Sequence, residues 1–383
     1  MTLPGGPLAG IRVVELGGIG PAPFCGMVLA DLGAEVVRIN RPAEVGGPAS
    51  NPVLDRGRRN LAVDLKSPAG VEAVRRLVDT ADAVIEGFRP GVMERLGFVP
   101  DELRATNPRL VVGRMTGYGQ TGPEAQTAGH DIDYIARSGV LGAIGRAGGR
   151  PMMPLNLVGD FGGGGMLLAV GVLAAILSAR ATGEGQDVDA AMVDGSALLM
   201  AMTYGFAAQG VWDLAERGVN LFDGGMPYYD TYECADGRFV AVGAIEPQFY
   251  AALVEGLGLG DRLDLMAQDD RSTWPRQAEL FAAAFAARTR DEWAAHFAGR
   301  NACVTPVLMP SEAPGDAHLA ARSTYVTDET GVIHPAPAPR FGGTPLASPS
   351  APTAPGADTD AVLADLGYSS EEIAVLRDQG VVA

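Results

Sequence analysis

At 383 residues with 47 % hydrophobic side chains, the chain has enough apolar surface for a substantial core, in two domains or in one large domain with an insertion. A formal net charge of −17 argues against nucleic acid or an anionic membrane as general partner. Cys25, Cys234 and Cys303 show no C-x-x-C spacing, so neither a disulfide framework nor a zinc site is indicated, and the three read as small buried hydrophobes.

The N-terminus, MTLPGGPLAGIRVVEL, lacks a charged region ahead of an apolar stretch, so a cytoplasmic protein is expected. IRVVEL (11–16) predicts a strand, GGIGPAP a turn, FCGMVLADLG a helix and EVVRIN (35–40) a second strand. LAVDL, VEAVRRLVDTA, AVIEGF and LVVGRM continue the alternation, which predicts an α/β fold with a doubly wound sheet. The first turn has no G-x-G-x-x-G spacing, which rejects NAD, and GGGG at 162–165 lacks the G-K-[ST] ending of an ATPase loop. The apolar run after Asp160 is broken by glycines and embedded in αβ patterning, so it reads as core rather than as a membrane span.

QDVDAAMVD (186–194) predicts a further strand leading into an Ala/Met-rich helix near 195–217. In MPYYDTYECADGRFVAVGAIEPQFY two β-rich runs flank an Ala-Asp-Gly turn, a hairpin signal, and Pro247 starts a helix behind Glu246. The expected organisation is a large α/β domain over 1–200, a linker helix over 201–225 and a smaller α+β domain over 226–310. A return linker over 311–343 and a C-terminal segment over 344–383, completing the large domain, follow. That segment opens on an Ala/Pro/Ser stretch and ends in two short helices, with Gly367 as a stop and a capping box at Ser369 and Glu372.

Candidate chemistry centres on His130 in AGHDIDYIARSG and Asp160 in PLNLVGDFGGGG. Two groups of different basicity, each beside a turn-forming glycine stretch, suit a reaction in which one proton leaves one face of a carbon and another arrives on the opposite face. Taken singly, each residue also reads as a helix cap. Of the histidines at 130, 296, 318 and 334, only His130 sits in so glycine-rich and polar a context. Positive charge concentrates between 38 and 66, where Arg38, Arg41, Arg56, Arg58, Arg59 and the single lysine, Lys66, face Glu44, Asp55 and Asp64. Such a stretch reads equally as solvated surface charge or as a polyphosphate site.

The blocks LAGIRVVELGGIGPAPFCGMVLADLGAEVVRINRP, IEGFRPGVMERLG, MTGYGQTGP, AGHDIDY, PLNLVGDFGGG, DGGMPYYDTYECADGRFVAVGAIEPQFY and LGYSSEEIAVLRDQGVV together resemble the family III CoA transferases, and within them the α-methylacyl-CoA racemases. The resemblance spans nearly the whole chain. It implies an interlocked homodimer of ring-like chains, each with a Rossmann-like large domain and a small domain, binding CoA thioesters between domains. It implies no separate cofactor, coenzyme A being part of the substrate. The implied activity interconverts the enantiomers of 2-methylacyl-CoA thioesters by α-proton abstraction and reprotonation through an enolate.

His130 and Asp160 match the catalytic pair of the racemases, and Glu246 matches an acid that approaches the histidine from the partner subunit. Arg41, Lys66 and Arg95 fall where that family contacts the CoA phosphates and adenine, with Arg38 and Arg89 as further candidates. A helix expected to begin after Asp160 would aim its positive end and free N–H groups at the enolate, and Gly162 to Gly165 would let substrate approach the backbone. Asp131 would orient His130, bind the ligand or serve as a cap, while Asn156 and Tyr229 read as orienters or as satisfied core polar groups. The racemases commonly carry asparagine where this chain has Asp133; a carboxylate there would favour the imidazolium, or would change nothing if it faces solvent.

The rival activity is CoA transfer, with Asp160 as a nucleophile that forms a mixed anhydride and His130 without a necessary role. A CoA-binding scaffold would need the cations but not the proton-transfer pair. The histidine, Glu246 in GAIEPQFY and the lack of a second glycine-rich lid favour the racemase.

Overall fold

The computed structural model describes residues 5–262 and 267–383. The alternating apolar runs form β1 (Arg12–Leu16), β2 (Glu35–Asn40), β3 (Arg58–Ala62), β4 (Ala83–Glu86), β5 (Val111–Thr116) and β6 (Asp187–Ala191). They pair in parallel in the order β3-β2-β1-β4-β5-β6. Consecutive residues feed opposite layers, as a period of two requires. Val14, Val37, Val84 and Val112 join one core with Leu77, Val78 and Phe98, while Val13, Val36, Ala83 and Val111 join the other with Cys25, Leu29, Leu168 and Val172. Burial on both faces explains why these strands read as continuous β-branched runs.

The third strand starts three residues before LAVDL, at Arg58, because that guanidinium is itself buried against Glu15 of β1. The helix expected near 195–217 is instead two helices, Met192–Leu199 and Ala201–Ala208, and the chain turns away at Gly210, whose φ is 75°. Cys25 and Cys234 are buried as read from the sequence, whereas Cys303 is exposed, with a left-handed φ of 51°.

Contacts divide the chain into two units, the first comprising 1–138, 155–199 and 317–383 and the second 139–154 and 200–316. The segment 139–154 thus leaves the first unit between His130 and Asp160. The second unit holds an antiparallel sheet of β7 (Tyr229–Glu233), β8 (Phe239–Gly243) and β9 (Val304–Pro306), the first two forming the expected hairpin. Its core is aromatic, with Tyr232, Tyr250, Phe281, Phe285, Trp293 and Phe297 packed together.

The stretch 311–343 is structured, carrying a helix at Ala317–Ala321 and a hairpin of β10 (Tyr325–Thr327) and β11 (Ile333–Pro335). The chain ends in helices Thr359–Asp365 and Ser370–Asp378, the second closed by the Ser369/Glu372 capping box. Leu157–Thr182 is long and apolar enough to cross a membrane, and 44 % of its most apolar window is buried inside the fold. That buried face, including Leu168, Val172 and Ile176, packs in the sheet's second core.

In the sheet order the chain runs outward from β1 to β2 on one side and continues at β4 on the other. Ligands of open parallel sheets settle in the crevice beyond the strand C-termini at such a reversal. The turns that follow β1 and β4 meet there, and glycine lets them do so: a Cβ on Gly18 would lie 3.5 Å from Cα of Gly87.

Candidate active site

The turn after β1 ends at Gly20, where φ is 68° and a Cβ would come within 3.2 Å of Oδ2 of Asp160. The carboxylate therefore stands against the mouth of the crevice. Ile19, on the same turn, is 84 % exposed, an unusual position for a large apolar side chain. The sequence marked this stretch only as a turn; a glycine just before a helix-opening proline was the available signal.

Asp160 does not precede its helix. It lies inside a π-helical stretch, Leu157–Met166, that continues as the α-helix Leu167–Thr182, so the expectation of a helix beginning after Asp160 is corrected. Wide π turns inside helices are frequent at functional positions. The glycine run is also used differently from the expectation. Gly163, Gly164 and Gly165 are buried, and Cβ atoms on them would strike Gly195 and Ser196, Met192 and Pro21, or Pro21 and Phe24. The chain's own backbone and side chains fill that space, which leaves Gly162 as the less covered member of the run.

His130 caps the short helix Asp131–Arg137 in an extended conformation, φ −132° and ψ 175°, with its side chain exposed. Its backbone N–H donates to Asp133 Oδ2 at 2.9 Å, so the Asp133 carboxylate closes the helix cap. Behind it, the Tyr134 hydroxyl donates to the carbonyl of Gly129, and the Tyr134 ring meets Tyr118 edge-on at 4.9 Å. Burial pushes the Tyr134 hydroxyl pKa up to about 12, which keeps it a donor at neutral pH.

Asp131 joins the two halves. It is buried, and its Oδ1 accepts the backbone N–H of Asp160 at 2.7 Å. Asn156 donates from Nδ2 to Asp160 Oδ2 at 3.0 Å. Burial raises the Asp160 pKa above the ordinary carboxylate value; the Asn156 bond opposes this, the nearby Asp131 charge adds to it, and His130 opposes it. The two candidate bases are therefore within electrostatic reach of each other, with different intrinsic basicities.

Among the cations, Arg41 follows β2, Lys66 follows β3, and Arg89 and Arg95 follow β4, all four exposed at the C-terminal side of the sheet. Lys66 and Arg95 line a surface hollow of about 500 Å³ together with Leu65, Pro68, Val71 and Leu96. Arg89 lies close enough for its charge to lower the Tyr134 pKa. Arg38 is elsewhere engaged, paired with Asp55 and, at 3.6 Å, with Glu15. Arg56 pairs with Asp31 at 2.6 Å, Arg58 with Glu15 at 3.1 Å, and Arg59 with Glu35 at 2.7 Å. The basic stretch thus reduces to Arg41 and Lys66 as outward charge, because Asp55 within it and Glu15, Asp31 and Glu35 before it neutralise the rest.

Glu246 and Tyr229 belong to the second unit. Glu246 is exposed at the N-cap of helix Pro247–Gly256, and its side chain makes no capping bond. Tyr229 opens β7, its ring edge-on to Phe222 at 5.1 Å.

The model of the family described as CoA-transferase family III matches residues 8–359. The chain is 47 % identical over 377 residues to "Alpha-methylacyl-CoA racemase" of Mus musculus, covering 98 % of this chain and 97 % of the relative. It is 46 % identical over 379 residues to the protein of the same name from Homo sapiens, with the same coverage. Among solved structures, a CAIB/BAIF family protein from Brucella suis superposes with a TM-score of 0.80 at 26 % identity, over 94 % of this chain and all of that one, 100 %.

Proposed function

The chain belongs to the CoA-transferase family III, and we propose that within it this protein racemises 2-methylacyl-CoA thioesters. The observation that carries the reading is the pairing of His130 with Asp160 through Asp131, in a chain similar over its full length to proteins named racemases. Arg41, Lys66 and Arg95 hold the phosphates of the CoA moiety, with Arg89 nearer the reacting end. The thioester carbonyl faces the N-terminal turn of the helix that starts at Leu157. N–H groups in that turn support the negative charge of the enolate. From one enantiomer, neutral His130 takes the α-proton and protonated Asp160 returns one to the opposite face; from the other, the Asp160 carboxylate takes it and the imidazolium returns one. Both directions leave His130 and Asp160 in exchanged protonation states, and no cofactor enters the balance.

Incubation of one enantiomer of a 2-methylacyl-CoA in heavy water tests this directly. Racemisation with α-deuterium incorporation and no acceptor acid is the expected result. Acyl movement that requires an acceptor, with an acyl hydroxamate formed at Asp160 in hydroxylamine, would establish the transferase instead. Neither reaction would leave a binder.

The pH profile reports Asp160. Asn156→Ala removes a donor that favours the charged carboxylate, so Asp160 will titrate at higher pH and, for the enantiomer whose proton the Asp160 carboxylate takes, the acid limb of kcat/KM will move to higher pH. An unmoved limb would remove Asn156 from the site. For the cations, Lys66→Ala will raise KM for the CoA ester about tenfold and spare kcat, because a remote phosphate is gripped equally in ground and transition states.

We also read the protein as a homodimer in which Glu246 and Tyr229 serve the partner's site. Exposed apolar stripes support an oligomer: Met166, Val170 and Leu177 on the long helix of the first unit, and Met202 and Tyr204 in the second. Asp160→Ala and Glu246→Ala chains mixed under refolding conditions will recover about half of the wild-type activity per heterodimer, since a two-fold interface puts both lesions in one site. No recovery in verified heterodimers would place Glu246 in its own chain's site. Three unpaired thiols suit the reducing cytoplasm we assign to the protein.

A further inference from the structure

The two outward cations of the basic stretch sit on loops that share a neighbour far away in sequence. Val63 and Val382 form an antiparallel bridge, the Asp64 N–H donates to the carbonyl of Val381 at 2.8 Å, and the Ala383 N–H donates to that of Ala62 at 3.3 Å. Val381 and Val382 are buried in the same core as Val63. On its other flank the run 62–65 is pressed by Gly70, where any Cβ would strike the Asp64 carbonyl. Lys66 leaves this grip with its N–H bonded to Asp64 Oδ1 at 2.9 Å.

The Arg41 loop is reached by the same segment. Gly356 has a φ of 78°, and a Cβ on it would come within 2.8 Å of Val45 Cγ2 and 2.9 Å of Ala62 Cβ. Val45 closes the turn that begins at Arg41, through its N–H to the carbonyl of Pro42 at 3.2 Å, while the Glu44 carboxylate accepts the Arg41 N–H at 3.2 Å. The β2–β3 pairing already joins the roots of the two loops, its last bond running from the Val63 N–H to the carbonyl of Asn40 at 3.0 Å, and one C-terminal segment braces both loops beyond it.

We propose that Gly356 and residues 381–383 are positioning residues for the nucleotide end of the substrate, holding the Arg41 and Lys66 loops in register. This rests on the reading that those cations hold the CoA phosphates. The function of the brace is to fix two flexible, remote charges at one spacing, so that binding does not have to order them.

The test compares two substrates: a 2-methylacyl-CoA, and the pantetheine thioester of the same acid, which lacks the nucleotide. The variants are a chain ended after Gly380 and Gly356→Ala, with Lys66→Ala as reference. We expect KM for the CoA ester to rise about five- to tenfold in the shortened chain and less in Gly356→Ala, with kcat kept within about twofold. Both constants for the pantetheine ester will stay at wild-type values. Equal changes for the two substrates, or no change in either, in variants whose far-ultraviolet circular dichroism and thermal midpoint match the wild type, would overturn the proposal. If the shortened chain fails to fold, Gly356→Ala and Val382→Ala decide by the same comparison. A Lys66→Ala enzyme that handles both substrates as the wild type does would instead overturn the assignment of the phosphates to these loops, whatever the brace does.

Discussion

His130→Ala and Asp160→Ala will each lower racemisation by about a thousandfold or more while the Kd for the CoA ester stays within a few-fold, in the range expected when a general acid or base is removed. The argument is geometric. His130 is exposed at a helix cap and Asp160 lies in a helical turn, so neither side chain supports the core. Alanine at either position leaves the Asp131 bond to the Asp160 backbone intact, because that bond uses the N–H and not the carboxylate. Isothermal titration with a CoA ester, beside polarimetric assay of turnover, separates the two quantities. Loss of binding in a folded variant would show that these groups anchor the substrate and do not transfer its proton.

Glu15→Ala will cost about 3–5 kcal/mol of folding stability, the cost of leaving a buried charge without its partner. Arg58 and Glu15 are both fully buried, 3.1 Å apart. Arg58 also donates to the carbonyls of Leu54, Arg56 and Pro23, so it remains in place when its counter-ion is removed. Glu15 also lies 3.6 Å from Arg38, but Arg38 keeps its Asp55 partner in the variant, so the cost falls on Arg58. Urea unfolding monitored by far-ultraviolet circular dichroism measures the loss. A change under about 1 kcal/mol would mean that the pair is solvent-screened like an exposed bridge.

Glu15 illustrates where the sequence was legible and where it was not. The strands β1, β2, β4 and β5 were readable because burial on both faces demands apolar, β-branched runs. Arg58 broke that rule, and the start of β3 was misplaced because the acid that permits a buried arginine lies 43 residues earlier. Arg38, a phosphate candidate from the resemblance alone, is held by Asp55 and, less closely, by Glu15. His130 and Asp160 were legible as a pair, yet not the reason for the glycines beside Asp160. GGGG signalled close approach, but not that the approaching atoms belong to Pro21, Gly195 and Ser196. Asp131 and Asp133 carried no local sign that one would hold a distant N–H and the other the N–H of His130 itself.

The bond from the Asp160 N–H to Asp131 has a dynamic consequence. Asp131 adjoins His130 in the chain, so one residue and the hydrogen bond of its side chain link the backbones that carry the two proposed bases. The bond couples the two backbones at this corner, so a displacement of one is expected to be followed by the other. Under the proposed mechanism, an α-carbon held between the two side chains would keep a proton donor on one side and an acceptor on the other through such displacements.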